Sequence, residues 1–234
     1  MKTTAELYKE LFELTVSKFG FDGGAIEQGS QEWHRMRAGV ITGSRVHDII
    51  KSGRAKGSYS EARAKYMNEL IAQVCTGLLP DEINAKQLTW GKDNEPKALE
   101  LYDPWGEKDI NQIPFVYGFD MRCGVSPDAL VGDNGALEIK CPWTTAQFID
   151  QLLDGEPKPE YLTQAQFSLW ILKRDYWDFM NFDPRMKKNN YVIKRFEPDI
   201  ELHEKFSEEI PKFITEMDEK LSQLGFTFND IYKQ

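Results

Sequence analysis

The stretch GVSPDALVGDNGALEIKCPW, residues 124–143, decides the fold, and it also carries charges in an unusual place. Within it, ALEIKCP alternates three apolar residues with two charged ones, namely Leu137, Ile139 and Cys141 with Glu138 and Lys140. Because successive side chains of a strand point to opposite faces, this alternation predicts a β-strand with both charges on one face.

A second charged group stands upstream of this strand. The strand candidate MRCGVS, residues 121–126, is followed at once by Pro127 and Asp128. The sequence GDNG, residues 132–135, is typical of a tight turn between this candidate and ALEIKCP. We therefore expect a hairpin that folds Asp128 back beside Glu138.

The neighbourhood of Glu138 favours a reactive site over an ordinary half-exposed strand. Apolar and aromatic flanks predict a central strand, where a charge is costly unless it is paired or bound to a metal. Two carboxylates and Lys140 at one strand edge suit a hard divalent cation, which offsets the repulsion between the carboxylates. Such a cation stabilises the attacking and leaving oxygens of phosphodiester hydrolysis. In such a site we expect Lys140 to orient and help to deprotonate the attacking water, or to stabilise the developing charge.

Composition sets broad limits on the chain. Its 234 residues, 41% of them hydrophobic, are enough for one sizeable core, and we expect a single domain over residues 1–234. No apolar run is long enough for a transmembrane helix, and the first residues lack a signal-peptide core, so we expect a cytoplasmic protein without a membrane partner. Cys75, Cys123 and Cys141 are odd in number and widely spaced, which argues against a disulfide framework and a zinc site.

The net charge of −9 speaks against nucleic acid as a partner, but the charge is unevenly distributed. Residues 35–65 contain eight basic side chains against Asp48 and Glu61, a balance of +6 that leaves −15 for the rest. These basic residues are Arg35, Arg37, Arg45, Lys51, Arg54, Lys56, Arg63 and Lys65. A local basic surface on an acidic body still binds phosphates, although a charge run is more often a solvated helix face.

Hydrophobic periodicity predicts alternating helices and strands. Helices are expected at about 4–19, 31–38, 60–77, 85–102, 145–153, 161–173 and 200–224, with Ser44 as the N-cap of a further short helix. The stretch 161–173 is predicted to be amphipathic. Strands are expected in 113–119, 121–126, 136–142, 176–182 and 191–197. This order predicts an α/β fold with a mixed central sheet flanked by helices.

The arrangement P-D-x9-E-x-K over residues 127–140 is the signature of the PD-(D/E)xK nuclease superfamily, and further blocks strengthen the match. These are EQG (27–29), WHRMRAGVITGS (33–44), VCTG (74–77), NAKQLTWGKDNE (84–95), SPDAL (126–130), LEIKCP (137–142), YLTQAQFSLW (161–170), DPRMK (183–187) and IPKFITEMDE (210–219). In this order the blocks resemble the family of phage lambda exonuclease and the YqaJ-type viral recombinase nucleases. The resemblance implies a restriction-endonuclease-like fold, with the N-terminal helix region, residues 1–24, outside the clearest match.

The resemblance also implies roles for particular residues. Asp128 and Glu138 resemble the shared metal ligands, together with the backbone carbonyl of Ile139. Lys140 resembles the catalytic lysine, Glu95 an additional acidic residue near the metals, and Gln164 a glutamine that holds the site. From periodicity alone, Glu95 would be an exposed helical residue and Gln164 a polar position on an amphipathic helix.

Three further roles concern DNA. Arg37 and Ser44 resemble a pocket for the 5′-phosphate of a DNA end, which suits the planar fork of arginine and a hydroxyl at a helix start. Leu88 resembles an apolar wedge that splits terminal base pairs, although a lone helical leucine is otherwise a core residue. Arg54, in the basic loop, is a candidate DNA contact on weaker grounds.

The activity implied by the resemblance is 5′→3′ digestion of the 5′-ended strand of linear double-stranded DNA. The products are mononucleotides and a 3′ overhang. The implied cofactor is two Mg²⁺ per active site, which Mn²⁺ can replace. The implied assembly is a homotrimeric ring that works with a single-strand annealing protein, in a phage or prophage system in the bacterial cytoplasm. The acidic face around Glu208–Glu219 is a candidate contact for that partner.

Two alternatives remain open at this point. One is a structure-specific or restriction-like endonuclease on the same scaffold, which closed circular DNA would distinguish. The other is a DNA-end-binding scaffold without catalysis, against which the intact set of Asp128, Glu138 and Lys140 argues.

Overall fold

The computed structural model describes residues 2–55, 57–78, 85–155 and 157–233; Lys56, one of the eight basic residues counted above, lies outside them. The helices in these residues are α1 (Thr4–Phe19), α2 (Gln31–Arg37), α3 (Val46–Ile50), α4 (Glu61–Thr76), α5 (Ala85–Tyr102), α6 (Thr145–Asp154), α7 (Pro159–Leu172) and α8 (Ile200–Gln223). The strands are β1 (Ile41–Thr42), β2 (Ile110–Asn111), β3 (Val116–Gly118), β4 (Cys123–Val125), β5 (Ala129–Val131), β6 (Gly135–Lys140), β7 (Tyr176–Phe182) and β8 (Tyr191–Phe196).

The strands form two sheets, and the larger one holds the charged strand. Its order is β2-β5-β6-β7-β8, with β6 and β7 parallel and the other pairs antiparallel. The smaller sheet has the order β1-β4-β3. The predicted α/β class with a mixed sheet flanked by helices is confirmed, and β6 is a central strand as expected.

Two details of the predicted strands are wrong. The strand in MRCGVS, β4, belongs to the smaller sheet, and the hairpin partner of β6 is β5, which was not predicted. Strand β5 has three residues, all buried, so it is too short to show an alternating pattern. The turn between β5 and β6 begins at Gly132, whose φ of 56° is in the left-handed region that glycine adopts without strain.

Most helix starts follow from capping residues. Thr3 and Glu6 form a capping box at the start of α1, and the Ser30 and Ser60 side chains cap α2 and α4. Helix α5 covers the predicted 85–102.

Helix α7 is more buried than predicted. Rather than having one exposed face, it packs against β3, β4 and β7 and against α3 and α8. Its polar side chains remain bonded in this setting: the Gln166 amide donates to the Glu197 carbonyl at 2.8 Å, and the Ser168 hydroxyl donates to the Gln164 carbonyl at 2.8 Å. The apparent amphipathic pattern came from these satisfied polar positions.

The five-stranded sheet separates two apolar clusters. The larger lies on the α7 side and includes Phe167, Phe179 and Phe206. The smaller lies between α5 and the opposite face of the sheet, where Ala98 and Tyr102 pack with alternate residues of β5, β6 and β7. The charged face of β6 therefore looks toward α7, while its apolar face looks toward α5.

Helix α1 docks on the turn of the β5–β6 hairpin. The Thr4 hydroxyl donates to the Gly132 carbonyl at 2.7 Å, and the Thr4 backbone N–H donates to Asp133 at 2.7 Å. The buried Arg174 guanidinium donates to the same Gly132 carbonyl and to the Thr4 hydroxyl, each at 3.0 Å. The N-terminal helix thus braces the hairpin that carries Asp128 and Glu138.

Among the residues that the structure describes, no helix combines the length and the apolar character needed to cross a bilayer.

Candidate active site

The β5–β6 hairpin brings Asp128 and Glu138 together. Its register pairs Ala129 with Leu137, so one residue further along Asp128 lies opposite Glu138. The Asp128 N–H donates to the Leu137 carbonyl at 3.1 Å, which extends the pairing to this point. Residues opposite each other in an antiparallel pair have side chains on the same face, so both carboxyls lie on the α7 side of the sheet.

Glu138 is the most enclosed of these carboxylates, with 4% of its surface exposed. Its Oε1 accepts a short hydrogen bond from Lys140 and a bond of 2.8 Å from the Gln164 amide on α7. Its Oε2 is buried and has no hydrogen-bond partner among the described residues. An unsatisfied buried carboxylate oxygen is costly, so this atom is suited to receive a cation.

Asp128 is held by the backbone of β6. Its Oδ2 accepts a short hydrogen bond from the Ile139 N–H. The N–H and C=O of one strand residue point to the same sheet edge, so the Ile139 carbonyl faces the same side as Asp128. This is the placement expected of a backbone ligand beside Asp128 and Glu138.

The electrostatics link these groups to Glu95 on α5. Burial, followed by the charges of Glu138 and Glu95, raises the pKa of Asp128 well above its ordinary value. Burial and then Glu138 raise the pKa of Glu95. Burial alone would lower the pKa of Lys140, but the Glu138 and Asp128 carboxylates outweigh it and raise that pKa. Without a cation, the carboxylates therefore repel one another and Lys140 is a firmly held ammonium.

The oxygen atoms of Asp128 and Glu138 suit a divalent cation, although the side chains here do not form a complete metal site. No group of three or more acidic, histidine or cysteine side chains in the described part of the chain has the spacing to hold a metal. Lys140 and Gln164 engage one oxygen of Glu138, and the Ile139 N–H engages Asp128. The atoms left to bind a metal are all oxygens, including the unpartnered Oε2 of Glu138, and oxygen ligands suit Mg²⁺ and Mn²⁺.

A large cleft of about 1530 Å³ opens beside these carboxylates. Its lining contains five of the predicted residues, Arg37, Ser44, Leu88, Glu95 and Asp128. Residues from α2, the Gly43–Arg45 turn, α5 and the start of β5 thus surround one space. In a smaller cavity of about 250 Å³, Lys140, Trp143 and Tyr161 form part of the wall.

Arg37 presents an available guanidinium to the large cleft. Its guanidinium carbon lies 3.8 Å from the centre of the Trp33 ring and 5.9 Å from that of Phe115. It has no hydrogen-bond or ion-pair partner within the described residues, so its N–H donors are available to a ligand. Burial lowers its pKa to about 10, and the group stays charged at neutral pH.

Ser44 is not the helix N-cap that the sequence predicted. It lies inside the 3₁₀ helix Gly43–Arg45, and α3 begins after Arg45 without a side-chain cap. The 3₁₀ turn runs directly into α3, and the Val46 N–H at the start of α3 donates to the Gly43 carbonyl of the turn. The exposed Ser44 hydroxyl, 3.5 Å from that of Thr42, lies in the wall of the large cleft.

Leu88 and Arg54 have different positions relative to the cleft. Leu88 lines the cleft and is 48% exposed, so it is not the core residue that helical periodicity alone would suggest. Arg54 is exposed on the loop between α3 and α4, which the Ser52–Tyr59 bridge closes, and it lines neither cavity. The structure does not bring Arg54 to the carboxylates.

Fewer cations of the basic segment, residues 35–65, are free to bind phosphate groups than its charge count suggests. Arg45 pairs with Asp48 and with Glu69 at 2.8 and 2.9 Å. The buried Arg63 pairs with Glu216 of α8 at 2.6 Å. The exposed cations of this segment in the described residues are Arg35, Lys51, Arg54 and Lys65.

Sequence reasoning missed two residues that support the site. Gln28 donates from its side-chain amide to the Pro127 carbonyl at 3.0 Å, directly before Asp128. Arg185 donates to the Pro142 carbonyl at 3.0 Å, just beyond Lys140. Both belong to blocks of the family resemblance, EQG and DPRMK, but nothing in their spacing indicated these partners.

Comparisons with known proteins identify the family of the chain. Residues 32–175, more than half of the chain, match the YqaJ-like viral recombinase domain family. The crystal structure of the alkaline exonuclease LHK-Exo from Laribacter hongkongensis is 33% identical, covers 84% of this chain and 96% of that one, and superposes with a TM-score of 0.74. LHK-Exo has also been solved in complex with dAMP, with 32% identity and the same TM-score of 0.74 over 83% of this chain and 96% of that one.

Two other relatives share parts of this picture. A phage-related exonuclease from Haemophilus somnus 129PT, at 16% identity, has a TM-score of 0.67 over 79% of this chain and 96% of its own, which shows likeness of fold. The uncharacterized protein ExoD of Escherichia coli K12 is 40% identical over 82 residues, 32% of this chain and 87% of that protein. From the family match and the similarity to LHK-Exo together, the chain belongs to the YqaJ-like viral recombinase domain family.

Proposed function

We propose that this chain is a divalent-metal-dependent deoxyribonuclease that digests linear double-stranded DNA from its ends. It degrades the 5′-ended strand in the 5′→3′ direction, releases mononucleotides and leaves a 3′ single-stranded overhang for recombination by strand annealing. The similar protein LHK-Exo is an alkaline exonuclease, and its complex with dAMP contains a mononucleotide of the kind such an enzyme releases.

The observation that carries the proposal is the shared cleft. Arg37, with its guanidinium available, and the carboxylates of Asp128 and Glu95 line the same space. A charged fork beside a cation site suits a terminal phosphate next to the bond that is cut. This arrangement favours cleavage at a chain end over cleavage within a chain.

The metal ligands in this proposal are Asp128, Glu138, the Ile139 carbonyl and Glu95, which would hold two Mg²⁺ or Mn²⁺ ions. Such ions polarise the phosphate and supply a reactive water at neutral pH. The chain itself supplies the oxygen donors and holds them before binding, through Ile139 for Asp128 and Gln164 for Glu138.

Lys140 and Arg37 act at different ends of the reacting group. The Lys140 ammonium, held by Glu138, orients the attacking water and stabilises charge that develops at the cut phosphate. Arg37 binds the 5′-phosphate with its free donors, and Ser44 adds a hydroxyl in the same cleft. Leu88 enters between terminal base pairs, and Arg54 contacts DNA outside the cleft.

The assembly belongs to the proposal as well. Three copies of the single-domain chain form a ring around the duplex, and a single-strand annealing protein receives the overhang. The exposed cations Lys51 and Lys65 would face the DNA, while the acidic surface of α8 would face outward. A stable monomer that releases DNA after every cut would argue against the ring.

The test is a time course with Mg²⁺ on linear duplex DNA labelled at the 5′ or the 3′ end. Closed circular DNA and an EDTA reaction accompany it. We expect early release of the 5′ label as mononucleotide, retention of the 3′ label and an intact circle. Cutting of the circle would indicate an endonuclease, and binding without any cutting would indicate a silent end-binder.

A Lys140→Ala variant separates chemistry from binding in the same assay. We expect cleavage to be lost while the affinity for DNA ends is retained, because Lys140 is one partly buried charge in a site formed by many groups. Equal loss of binding and cleavage would argue against a catalytic role.

A further inference from the structure

The segment Asp183–Met186, which follows β7, contains Arg185, whose three side-chain nitrogens all donate hydrogen bonds within the protein. Asp183 is fully buried, and its two carboxylate oxygens accept hydrogen bonds from Nε and Nη2 of Arg185 at 2.7 and 2.8 Å. This paired geometry fixes the orientation of the guanidinium plane. Nothing in the proposed chemistry uses Arg185.

The same guanidinium holds the chain that leaves β6. Its Nη1 donates to the Trp143 carbonyl and its Nη2 to the Pro142 carbonyl, both at 3.0 Å. These carbonyls come two and three residues after Lys140. Arg185 therefore fixes the backbone just beyond the catalytic lysine.

A third contact joins Arg185 to α5. Its guanidinium carbon lies 4.3 Å from the centre of the Trp90 ring. The Trp90 Nε1–H donates to the Pro142 carbonyl at 3.1 Å, and the Trp90 ring meets that of Trp143 edge-on at 6.1 Å. One arginine thus connects the first half of α5 to the end of the strand that carries Lys140.

Helix α5 runs unbroken from Ala85 to Tyr102 but contains Pro96. Proline has no N–H for the carbonyl four residues earlier, so the helix is weakened between Lys92 and Pro96. Beyond Pro96, Ala98 and Tyr102 are buried in the smaller apolar cluster. Before it, residues 86–89, 92 and 93 are exposed, and Trp90 makes the contacts just described.

We propose that Arg185 is a positioning residue that fixes the first half of α5, and Leu88 with it, relative to Lys140. Leu88 lies two residues before Trp90, on the cleft side of this half-helix. Arg185 then sets the distance between Leu88, where the strands are split, and Lys140, where the bond is cut. This inference rests on the proposed role of Leu88 at the DNA end.

Arg195 offers a matched control at the other end of α5. It donates to both oxygens of buried Asp178 at 2.7 Å and stacks on Tyr176, 3.6 Å from the ring centre. Asp178 also accepts from the Tyr102 hydroxyl at 2.7 Å. Arg185→Lys and Arg195→Lys therefore remove similar forks, one anchoring the first half of α5 and the other its last turn.

The first readout is hydrogen exchange of the free protein, which needs neither metal nor DNA. In Arg185→Lys we expect faster exchange over residues 86–95 and unchanged exchange around Tyr102. In Arg195→Lys we expect the opposite distribution. Thermal melting checks that both variants fold and lose similar stability. Unchanged exchange over residues 86–95 in Arg185→Lys would overturn the proposal.

The second readout follows the DNA end. A duplex with 2-aminopurine at its terminal pair reports strand splitting by fluorescence in EDTA, and single-turnover cleavage is then measured with Mg²⁺. We expect Arg185→Lys to lose most of the fluorescence rise and to cut about tenfold to a hundredfold more slowly at saturating DNA. Its affinity for 5′-phosphorylated ends should remain near that of the wild type, and Arg195→Lys should retain splitting.

The outcomes separate this inference from the function it rests on. If exchange rises but splitting and cleavage are unchanged, Arg185 supports the structure alone and the positioning role is refuted. If the wild type cuts ends without any fluorescence rise, the wedge role of Leu88 fails and the splitting part of this inference fails with it. If the wild type does not cut at all, the proposed function fails, whereas the exchange result still decides whether Arg185 anchors α5.

Discussion

Arg37 and Arg185 both stack on a tryptophan, yet they are in opposite states. The N–H donors of Arg185 are taken up by Asp183 and by two backbone carbonyls. Those of Arg37 have no acceptor within the described residues. A guanidinium that the fold holds by its flat face and leaves unbonded at its edge is prepared for a ligand.

Replacing Arg37 tests this difference. We expect Arg37→Lys to reduce the preference for 5′-phosphorylated over 5′-hydroxyl ends by roughly tenfold, because an ammonium lacks the paired donors of the fork. Initial rates on the two kinds of end give the preference. Arg35→Lys, an exposed site on the same helix, should leave the preference unchanged. An equal loss on both kinds of end would argue against a phosphate pocket at Arg37.

The Asp128 carboxylate lowers the stability of the metal-free protein, because it is buried close to two other carboxylates. Burial and the charges of Glu138 and Glu95 raise its pKa, so its ionised form destabilises the metal-free protein at neutral pH. We expect Asp128→Asn to raise the metal-free unfolding free energy by roughly 1 kcal/mol, since the amide keeps an acceptor for Ile139 and removes the charge.

The same variant should lose the response to metal. At a hundred times its dissociation constant, a bound cation adds about 2.7 kcal/mol to the unfolding free energy of the wild type. Thermal melts with EDTA and with Mg²⁺ measure both effects. Asp150→Asn, at an exposed position on α6, is the control and should change neither. Retained stabilisation by Mg²⁺ in Asp128→Asn would remove Asp128 from the ligand set.

At the scale of elements, α4 shows that neighbouring cations have different tasks. Arg63 is buried, pairs with Glu216 of α8 and lies 3.8 Å from the centre of the Tyr59 ring. Lys65 is exposed on the wall of the large cleft. The first joins two helices, and the second is available to a polyanion.

Alanine substitution should separate these tasks. We expect Arg63→Ala to lower the unfolding free energy by about 2 kcal/mol, below the usual loss for a buried pair because Glu216 is partly exposed. Lys65→Ala should cost less than about 0.5 kcal/mol. It should also reduce the slope of DNA affinity against salt by about one unit. Denaturant melts and titrations at several salt concentrations measure both, and a reduced salt slope in Arg63→Ala would contradict this division.

The sequence predicted most of the elements because their signals are local. Apolar spacing located α1, α4 and α5, and alternation located β6. Strand β5 could not be predicted, since three buried residues have no period. Helix α7 was predicted with the wrong exposure, because the partners of its polar side chains, such as Glu197, come from distant parts of the chain.

The candidate site, too, is predictable from the sequence only where its contacts are local. Asp128, Glu138 and Lys140 lie within one hairpin, so their meeting follows from turn and register. Ser44 is predicted to be the N-cap of α3, but the 3₁₀ turn that precedes α3 makes a side-chain cap unnecessary. Contacts such as that of Gln28 with Pro127 join residues 99 positions apart, and a single sequence holds no local trace of them.

For the molecule as a whole, the contact between α1 and the β5–β6 hairpin connects segments that are far apart in the sequence. The Thr4 hydroxyl donates to Gly132 and accepts from Arg174, and Arg174 is 2% exposed. We expect Thr4→Val to lower the unfolding free energy by about 2 kcal/mol, because it leaves a buried guanidinium without one acceptor. Denaturant melts give the loss.

A control and a second readout make this prediction specific. Thr76→Val removes an exposed hydroxyl that donates to the Ala72 carbonyl and accepts from the nearby Leu78 N–H, and it should cost less than about 1 kcal/mol. Hydrogen exchange in the β5–β6 hairpin should quicken in Thr4→Val alone. Unchanged exchange there would mean that α1 does not brace the hairpin.

The brace between Thr4 and Arg174 has a consequence for biosynthesis. The two residues are 170 positions apart, so the first helix leaves the ribosome long before the arginine that receives it. The hairpin with Asp128 and Glu138 forms from near neighbours, whereas contacts between distant residues form later. A nascent chain that stops short of residue 174 therefore carries every acidic residue of the site but lacks the arginine that joins α1 to the hairpin. The order of translation delays the completion of the site until its last supports have been made.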